Sequence, residues 1–373
     1  MVIKINGGVF MSINEIIVYI MVIFAVLGAI DKIIGNRFGL GEKFEEGIMA
    51  IGTLAISMVG IIALAPVIAE ILRPVIVPLF GFLGADPAMF AGSILANDMG
   101  GAPLAQALAI DPNAGLFGGL IVGAMLGPTI VFTIPVGLGI IEEADRKYLA
   151  TGVLAGVITI PVGAFVGGLV AGFPIIMVIR NLIPIIIFAV IIALGLFFFE
   201  DAMIKGFTYF GKFVVAVIIF GLALGIIEKL TGIVIIPGMT PITEGFEIVA
   251  DIAIVLAGAF PLVYVITKVF RTPLMKLGKI LGMNDVGAAG LVASLANSIP
   301  MFGMMKDMDP RGKILNVAFA VSAAFVFGDH LGFTAGFNSA MIFPMIVGKL
   351  VGGITAIIVA IFIANKTIGK EKS

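Results

Sequence analysis

Two acidic residues lie inside long apolar stretches of the sequence, where carboxylates are uncommon. Asp98 follows Asn97 in the stretch NDMGG, and Asp329 precedes His330 in FGDHLG. If these stretches cross a membrane, a charge near the centre costs about 2.5–3.5 kcal/mol on insertion scales, so such a residue usually has a function. A histidine can relay protons near neutral pH. These residues are therefore the first candidates for a functional site.

Each candidate also has a structural interpretation. Asp98 could cap the N-terminus of a half-helix, because Asp, Asn and Ser are preferred there. Asp329 and His330 could pair with each other and only fix a break in the chain. Asn97 and Asn297 follow the same Leu-Ala dipeptide in two parts of the sequence. They could bind a ligand or hold two hairpin tips in place.

The amino-acid composition indicates which type of secondary structure positions these residues. Of 373 residues, 61% are hydrophobic and 12% charged, against about 45–50% and about 25% in soluble domains. Hydrocarbon admits only helices or closed barrels, because every backbone polar group must be satisfied internally. The apolar runs here are about twenty residues long, as helices require, whereas a barrel strand needs about ten. The sequence therefore predicts an all-α polytopic membrane protein.

Composition also excludes several kinds of site. The absence of cysteine excludes disulfides and thiol catalysis. One histidine excludes a multi-histidine metal site, and no Walker A motif is present, so this chain is not expected to hydrolyse ATP. A net charge of −1 does not indicate a nucleic-acid surface. No cleavable signal peptide is predicted in residues 1–11.

About nine to eleven transmembrane segments are predicted. Two of them are interrupted by polar, glycine or proline residues, at about 86–110 and 286–306, and each is expected to be a broken helix or a re-entrant hairpin. The continuous segments lie at about 13–35, 46–72, 113–139, 147–172, 174–199, 207–231, 244–268, 312–335 and 337–364.

Similar landmarks recur in the two halves of the chain. In order, the matched pairs are Arg73-Pro74 with Arg271-Thr272-Pro273, Leu95-Ala96-Asn97 with Leu295-Ala296-Asn297, and Gly127-Pro128-Thr129 with Gly328-Asp329-His330. They predict two membrane repeats, 13–172 and 207–364, joined by a linking segment at 173–206. Residues 1–12 are an N-terminal extension and 365–373 a tail. Paired interrupted segments in two halves are typical of a transporter binding site.

Loop charge predicts the orientation, because Lys and Arg favour cytoplasmic loops. If both interrupted segments are re-entrant, every Lys- and Arg-rich loop lies on one side, with the N-terminus outside and the C-terminus in the cytoplasm. The repeats are then inverted. These loops carry Lys32, Arg37 and Lys43, Arg146 and Lys147, Lys205 and Lys212, the cluster 271–313, and Lys366, Lys370 and Lys372.

Long stretches of the chain resemble the ethanolamine permeases of bacterial ethanolamine-utilisation operons (EutH-type). Among them are GADPAMFAGSILANDMGG (84–101), GPTIVFTIPVGLGIIEEADRKYLA (127–150) and AFAVSAAFVFGDHLGF (318–333). The resemblance covers nearly the whole chain and implies import of ethanolamine across the cytoplasmic (inner) membrane for catabolism by cytoplasmic enzymes. It supplies no set of binding residues.

An ammonium alcohol needs a carboxylate for its cation and a polar partner for its hydroxyl. Asp98 and Asp329 could take the first role, and Thr129 the second. An aromatic face would add about 0.5–2 kcal/mol by cation–π attraction. Phe302, Phe327 and Phe333 flank the interrupted segments, although a phenylalanine in a membrane helix usually only packs.

The expected function is secondary transport or facilitated diffusion of ethanolamine, with no catalysis and no cofactor. The membrane potential favours entry of a monovalent cation by about 2.3 kcal/mol per 100 mV, so uniport suffices, and coupling to H⁺ or Na⁺ stays open. Another small amine or a nucleoside-like solute is the alternative within transport. A membrane scaffold or an intramembrane aspartyl protease is the alternative outside it, although the Gly-x-Gly-Asp protease pattern is absent. Contact with lipid is expected, and an oligomer is possible.

Overall fold

The computed structural model describes residues 2–4 and 10–371. The predicted extension at 1–12 and the predicted tail at 365–373 therefore lie partly outside the described residues. Two short strands, β1 (Val2–Lys4) and β2 (Phe10–Ser12), pair antiparallel. Everything regular after them is helical, which confirms the all-α class of the membrane region.

Helices occupy every predicted segment, but α2 and α12 continue beyond the predicted ends, and the predicted segments 113–139, 147–172 and 312–335 are each divided. In chain order they are α1 (Ile13–Ile33), α2 (Leu40–Phe82), α3 (Ala88–Ile94), α4 (Gly101–Leu108), α5 (Pro112–Leu116), α6 (Leu126–Pro128), α7 (Ile134–Ile140), α8 (Arg146–Val157), α9 (Ile160–Val170), α10 (Ile175–Phe198), α11 (Glu200–Thr231), α12 (Ile242–Ile280), α13 (Asp285–Ala296), α14 (Ser298–Met304), α15 (Pro310–Ala323), α16 (Asp329–Phe337) and α17 (Ile342–Glu371). Single 3-10 or π-helical turns connect several of them, including the 3-10 turn Asn97–Met99.

Among the described residues, seven helical stretches are long and apolar enough to cross a membrane, and the bent stretch at 112–140 would be an eighth. The predicted span at 312–335 is not among them because it is divided between α15 and α16. Large apolar side chains such as Ile71 and Phe82 are exposed on the outside of the bundle, as lipid contact requires. The chain is thus a multi-pass membrane protein.

Helices α2 and α12 pack against each other in opposite directions. A Cβ at Gly47 would lie 2.5 Å from the backbone nitrogen of Ala257, whereas one at Gly245 would lie 3.1 Å from the side chain of Val59. Moving forward along α2 therefore means moving backward along α12. Their C-terminal ends consequently lie at opposite ends of the pair.

Both interrupted segments are re-entrant hairpins, because the two ends of each meet. In the first hairpin (residues 86–110), Asp86 Oδ2 accepts from the backbone nitrogens of Ile110 and Asp111, at 3.0 and 2.9 Å. In the second hairpin (residues 284–307), Asn284 Nδ2 donates to the carbonyl of Asp307 at 2.9 Å. The first hairpin follows α2 and the second follows α12, so they enter the bundle from opposite ends.

The helix after each hairpin starts in the same way. Asp111 caps α5 by accepting from Asn113 N at 2.9 Å, and Asp309 caps α15 by accepting from Gly312 N at 3.2 Å. Each aspartate precedes a proline, a residue suited to the first helical turn. This shared order, together with the antiparallel α2 and α12, is what an inverted repeat requires. The two-fold relation between the halves itself stays a prediction.

Candidate functional site

Two breaks in the helices lie directly against the hairpin tips. The first break covers residues 123–125, and the second covers residues 324–328. At the first, Asn97 N donates to the carbonyl of Gly123 at 2.7 Å; at the second, Phe327 N donates to the carbonyl of Leu295 at 2.9 Å. Each hairpin tip thus satisfies backbone groups that a break leaves open, as burial in an apolar bundle requires.

Gly127 lies just after the first break and Gly328 is the last residue of the second, and at both positions two backbone segments nearly touch. A Cβ at Gly127 would lie 1.9 Å from the carbonyl oxygen of Leu95, and one at Gly328 would lie 2.1 Å from that of Ala296. Neither distance is possible for a real side chain, and both neighbours are backbone atoms. The matched glycines of the two halves are therefore explained by matched contacts.

Phe325 gives the second break its shape. Its φ is 63°, a left-handed conformation that is unusual for an aromatic residue. The backbone nitrogen donates to the carbonyl of Ser294 at 3.0 Å, which helps to hold it there. Its ring meets Phe132 edge to face at a centroid distance of 5.3 Å and lies 5.2 Å from the ring of His330.

Both predicted acids line one polar cavity. This space, called the Asp98 cavity below, measures about 420 Å³, within the range of small-molecule sites. It lies between α2, the first hairpin and the second break. Its polar lining is Thr53, Ser57, Asp98, Asp329 and His330, and its aromatic lining is Phe132 and Phe325.

A polar chain extends from Asp98 into the protein. His330 Nε2 lies 3.9 Å from Asp98 Oδ1, and His330 Nδ1 lies 3.0 Å from Lys349 Nζ. Lys349 also donates to the carbonyl of Ala124 in the first break. When Lys349 is protonated, its ammonium group can only donate, so His330 Nδ1 then accepts and Nε2 carries the hydrogen on the side facing Asp98. Because 3.9 Å exceeds a hydrogen bond, this imidazole does not saturate the carboxylate.

Asp329 also lines a second, smaller space of about 200 Å³, called the Asn297 cavity below. Of the predicted residues, Asn297 and Phe327 line it. Glu46 contributes a further carboxylate, paired with Lys43. Asn297 accepts from Ile299 N at 2.8 Å and so caps α14. Asp329 therefore stands between two cavities on either side of the second break.

Four predicted residues line neither cavity. Asn97 is fully buried, and its side chain has no hydrogen-bond partner within the described residues. The hydroxyl of Thr129 donates to the carbonyl of Met125 at 2.8 Å. Phe302 packs beside Gly137, and Phe333 stacks on Phe337. Their predicted roles in binding gain no support from this placement.

Asp98 does not cap the helix that follows it, which was the structural interpretation of this residue. Helix α4 begins after Gly100, and no side chain caps it. Likewise, the imidazole of His330 faces Asp98 and Lys349 instead of serving only its neighbour Asp329.

Several residues in or next to the Asp98 cavity were not predicted from the sequence. Lys349 is 1% exposed and lies inside the apolar stretch 337–364, so its charge alone was a signal. Thr53 and Ser57 are four residues apart on α2, which puts them on one helix face. Nothing in the sequence shows that this face meets the cavity. Phe132 and Phe325 carried no signal among the thirty phenylalanines.

Known proteins resemble this chain over almost its full length. The family model described as "Ethanolamine utilisation protein, EutH" matches residues 13–363. A protein of Listeria monocytogenes serotype 1/2a (strain 10403S), named "Probable ethanolamine permease EutH", is 69% identical over 363 residues, covering 97% of each chain. Its namesake in Escherichia coli (strain K12) is 52% identical over 372 residues, covering 90% of this chain and 91% of that one. No solved structure matches. The chain belongs to the EutH family of ethanolamine utilisation proteins.

Proposed function

We propose that this protein imports ethanolamine across the bacterial cytoplasmic membrane. The names of its relatives support the substrate. The observation that carries the proposal is that Asp98 and Asp329 line one cavity inside a bundle of membrane-spanning helices. Two carboxylates in such a place suit a small cation, because each would otherwise be costly to bury.

The ammonium group of ethanolamine is held by Asp98 and Asp329, since charge-assisted hydrogen bonds are the strong ones. The faces of Phe132 and Phe325 add cation–π attraction. The hydroxyl is met by Ser57 or Thr53 in place of Thr129. Their hydroxyls donate to the carbonyls of Leu54 and Ala50, at 3.1 and 2.9 Å, which leaves their oxygen atoms able to accept.

The path runs from the Asp98 cavity past Asp329 to the Asn297 cavity. Loop charge supports placing the Asn297 cavity on the cytoplasmic side, because Lys43 lies at its edge. The first hairpin then enters from outside and the second from the cytoplasm. Movement of one inverted half against the other would open the cavities in turn, as in other transporters built from repeats. Coupling to H⁺ or Na⁺ is an open element of this proposal.

Uptake by the purified protein in liposomes tests the proposal. Labelled ethanolamine should accumulate when an inside-negative potential is imposed, and unlabelled ethanolamine should compete. Ethanol lacks the ammonium group and glycine adds a carboxylate that the two acids repel, so neither should compete. Equal uptake of glycine would reject a carboxylate-lined ammonium site.

A further inference from the structure

Lys349 has no part in the binding scheme above, although it is the most deeply buried charged group near the site. It lies on α17 with 1% of its surface exposed. Within the described part of the chain, its amine is hydrogen-bonded to His330 Nδ1, at the site, and to the carbonyl of Ala124, in the first break. Burying a charged group is costly unless the charge is paired, and Asp98 lies on the other side of His330.

The charged groups around the Asp98 cavity can be counted by element. The first hairpin supplies Asp98, α16 supplies Asp329 and α17 supplies Lys349. On α2, Glu46 lies beside the other cavity and is paired with Lys43. With both acids ionised and Lys349 protonated, these groups, which are the charged ones that the described residues bring to the cavity, carry one net negative charge. A proton that moves between Asp98, His330 and Lys349 does not alter this sum.

We propose that Lys349 sets the charge of the site so that one monovalent organic ammonium ion enters per cycle without a coupling cation. This inference rests on the proposed function. That proposal leaves uniport and coupling to H⁺ or Na⁺ open, and the inference selects uniport. One bound ammonium ion neutralises the cavity, whereas an added Na⁺ or H⁺ would leave a buried positive charge. Without Lys349, two negative charges would remain, and a second cation would be needed.

Charge movement in liposomes containing the wild-type protein is the first test. Ethanolamine uptake should carry one positive charge per molecule, should not depend on Na⁺, and should move no proton across the membrane. More than one charge per molecule, or a requirement for a Na⁺ or pH gradient, would overturn the inference. Liposomes that take up no ethanolamine under any gradient would instead reject the proposed function.

The variant Lys349→Gln tests the role of the residue itself. In this variant, transport needs an added proton on a site carboxylate. Above the pKa of that carboxylate, the rate of ethanolamine uptake by the variant should fall by about tenfold per pH unit. The uptake rate of the wild-type protein should stay flat over the same pH range. Lys349→Arg keeps the charge and should restore the flat profile. A Lys349→Gln protein with wild-type pH dependence and stoichiometry would contradict the assignment. If this variant does not fold, the wild-type charge measurement decides alone.

Discussion

Asp98 Oδ1 and His330 Nε2 lie 3.9 Å apart, although 232 positions of the chain separate them. Asp98 is at the tip of the first hairpin, and His330 is in the first turn of α16. The imidazole, from the second predicted repeat, therefore faces the carboxylate of the first predicted repeat at the cavity. Its other nitrogen is occupied by Lys349, which fixes the edge that faces the carboxylate.

Replacing either cavity acid should impair uptake while leaving the fold intact. Asp98→Asn keeps the shape but removes a charged hydrogen-bond partner worth about 1.5–3 kcal/mol, so the apparent affinity for ethanolamine should fall by about 10- to 150-fold. Asp329→Asn should behave likewise. Asp201→Asn, at an exposed site on α11, is the matched control. Normal uptake by both cavity variants would remove these acids from the site.

Adding one methyl group at either matched glycine should disrupt the site. Gly127→Ala and Gly328→Ala place a Cβ about 2 Å from backbone oxygens that cannot move aside. We expect poor yield of folded protein or loss of uptake, checked by size-exclusion chromatography and transport. Gly139→Ala and Gly303→Ala have no neighbour within 4 Å of the new Cβ, and should be tolerated. Tolerance at all four positions would contradict the close contact.

Loss of the Asp86 carboxylate should lower the stability of the fold more than loss of the helix-capping carboxylate of Asp111. It accepts from the backbone nitrogens of Ala88, Ile110 and Asp111 and so closes the first hairpin. Asp111→Ala removes one cap, worth about 1 kcal/mol. Asp86→Ala removes three bonds to a charged group, each worth about 1.5–3 kcal/mol, and should lower the thermal unfolding temperature in detergent further. An equal or smaller effect would show that other contacts close the hairpin.

Single cysteines can test the orientation without background, because the sequence contains none. Ile110 is 70% exposed at the base of the first hairpin, and Ile280 is 81% exposed at the C-terminal end of α12. In intact cells, an impermeant maleimide should label Ile110→Cys directly, but Ile280→Cys only after the membrane is permeabilised. The reverse labelling pattern would show that the orientation is inverted. Labelling of both cysteines in intact cells would contradict the claim that the two hairpins enter from opposite ends.

The hairpins could be predicted because they disturb the apolar pattern. Polar residues, glycine and proline at membrane depth need protein partners, so the interruptions near Asn97 and Asn297 marked the tips in advance. The acids Asp98 and Asp329 could be found for the same reason. The sequence did not show whether each segment crosses or turns back. That depends on Asp86 and Asn284 reaching residues more than twenty positions away.

The lining of the cavity was harder to predict than its charges. An apolar segment that is hydrophobic on every side gives no period to show which face meets a ligand. Phe302 and Phe333 were chosen for their closeness to the interruptions in sequence, yet Phe132 and Phe325 line the space. Phe325 reaches it through a backbone conformation that no local pattern of residues predicts. Thr129 follows the first break but uses its hydroxyl on the carbonyl of Met125.

The bond from Lys349 to Ala124 has a consequence for biosynthesis. Ala124 leaves the ribosome more than two hundred residues before Lys349, and its carbonyl lies where the helix is already broken. Until α17 is inserted, that carbonyl lacks its lysine donor, and His330 lacks the group that fixes its tautomer. The polar chain that runs from Asp98 through His330 is thus completed only once α17, the last helix among the described residues, is in place. A chain truncated before α17 would leave this carbonyl and the imidazole of His330 without their lysine partner, so we expect it to be less stable in the membrane than a chain that contains α17.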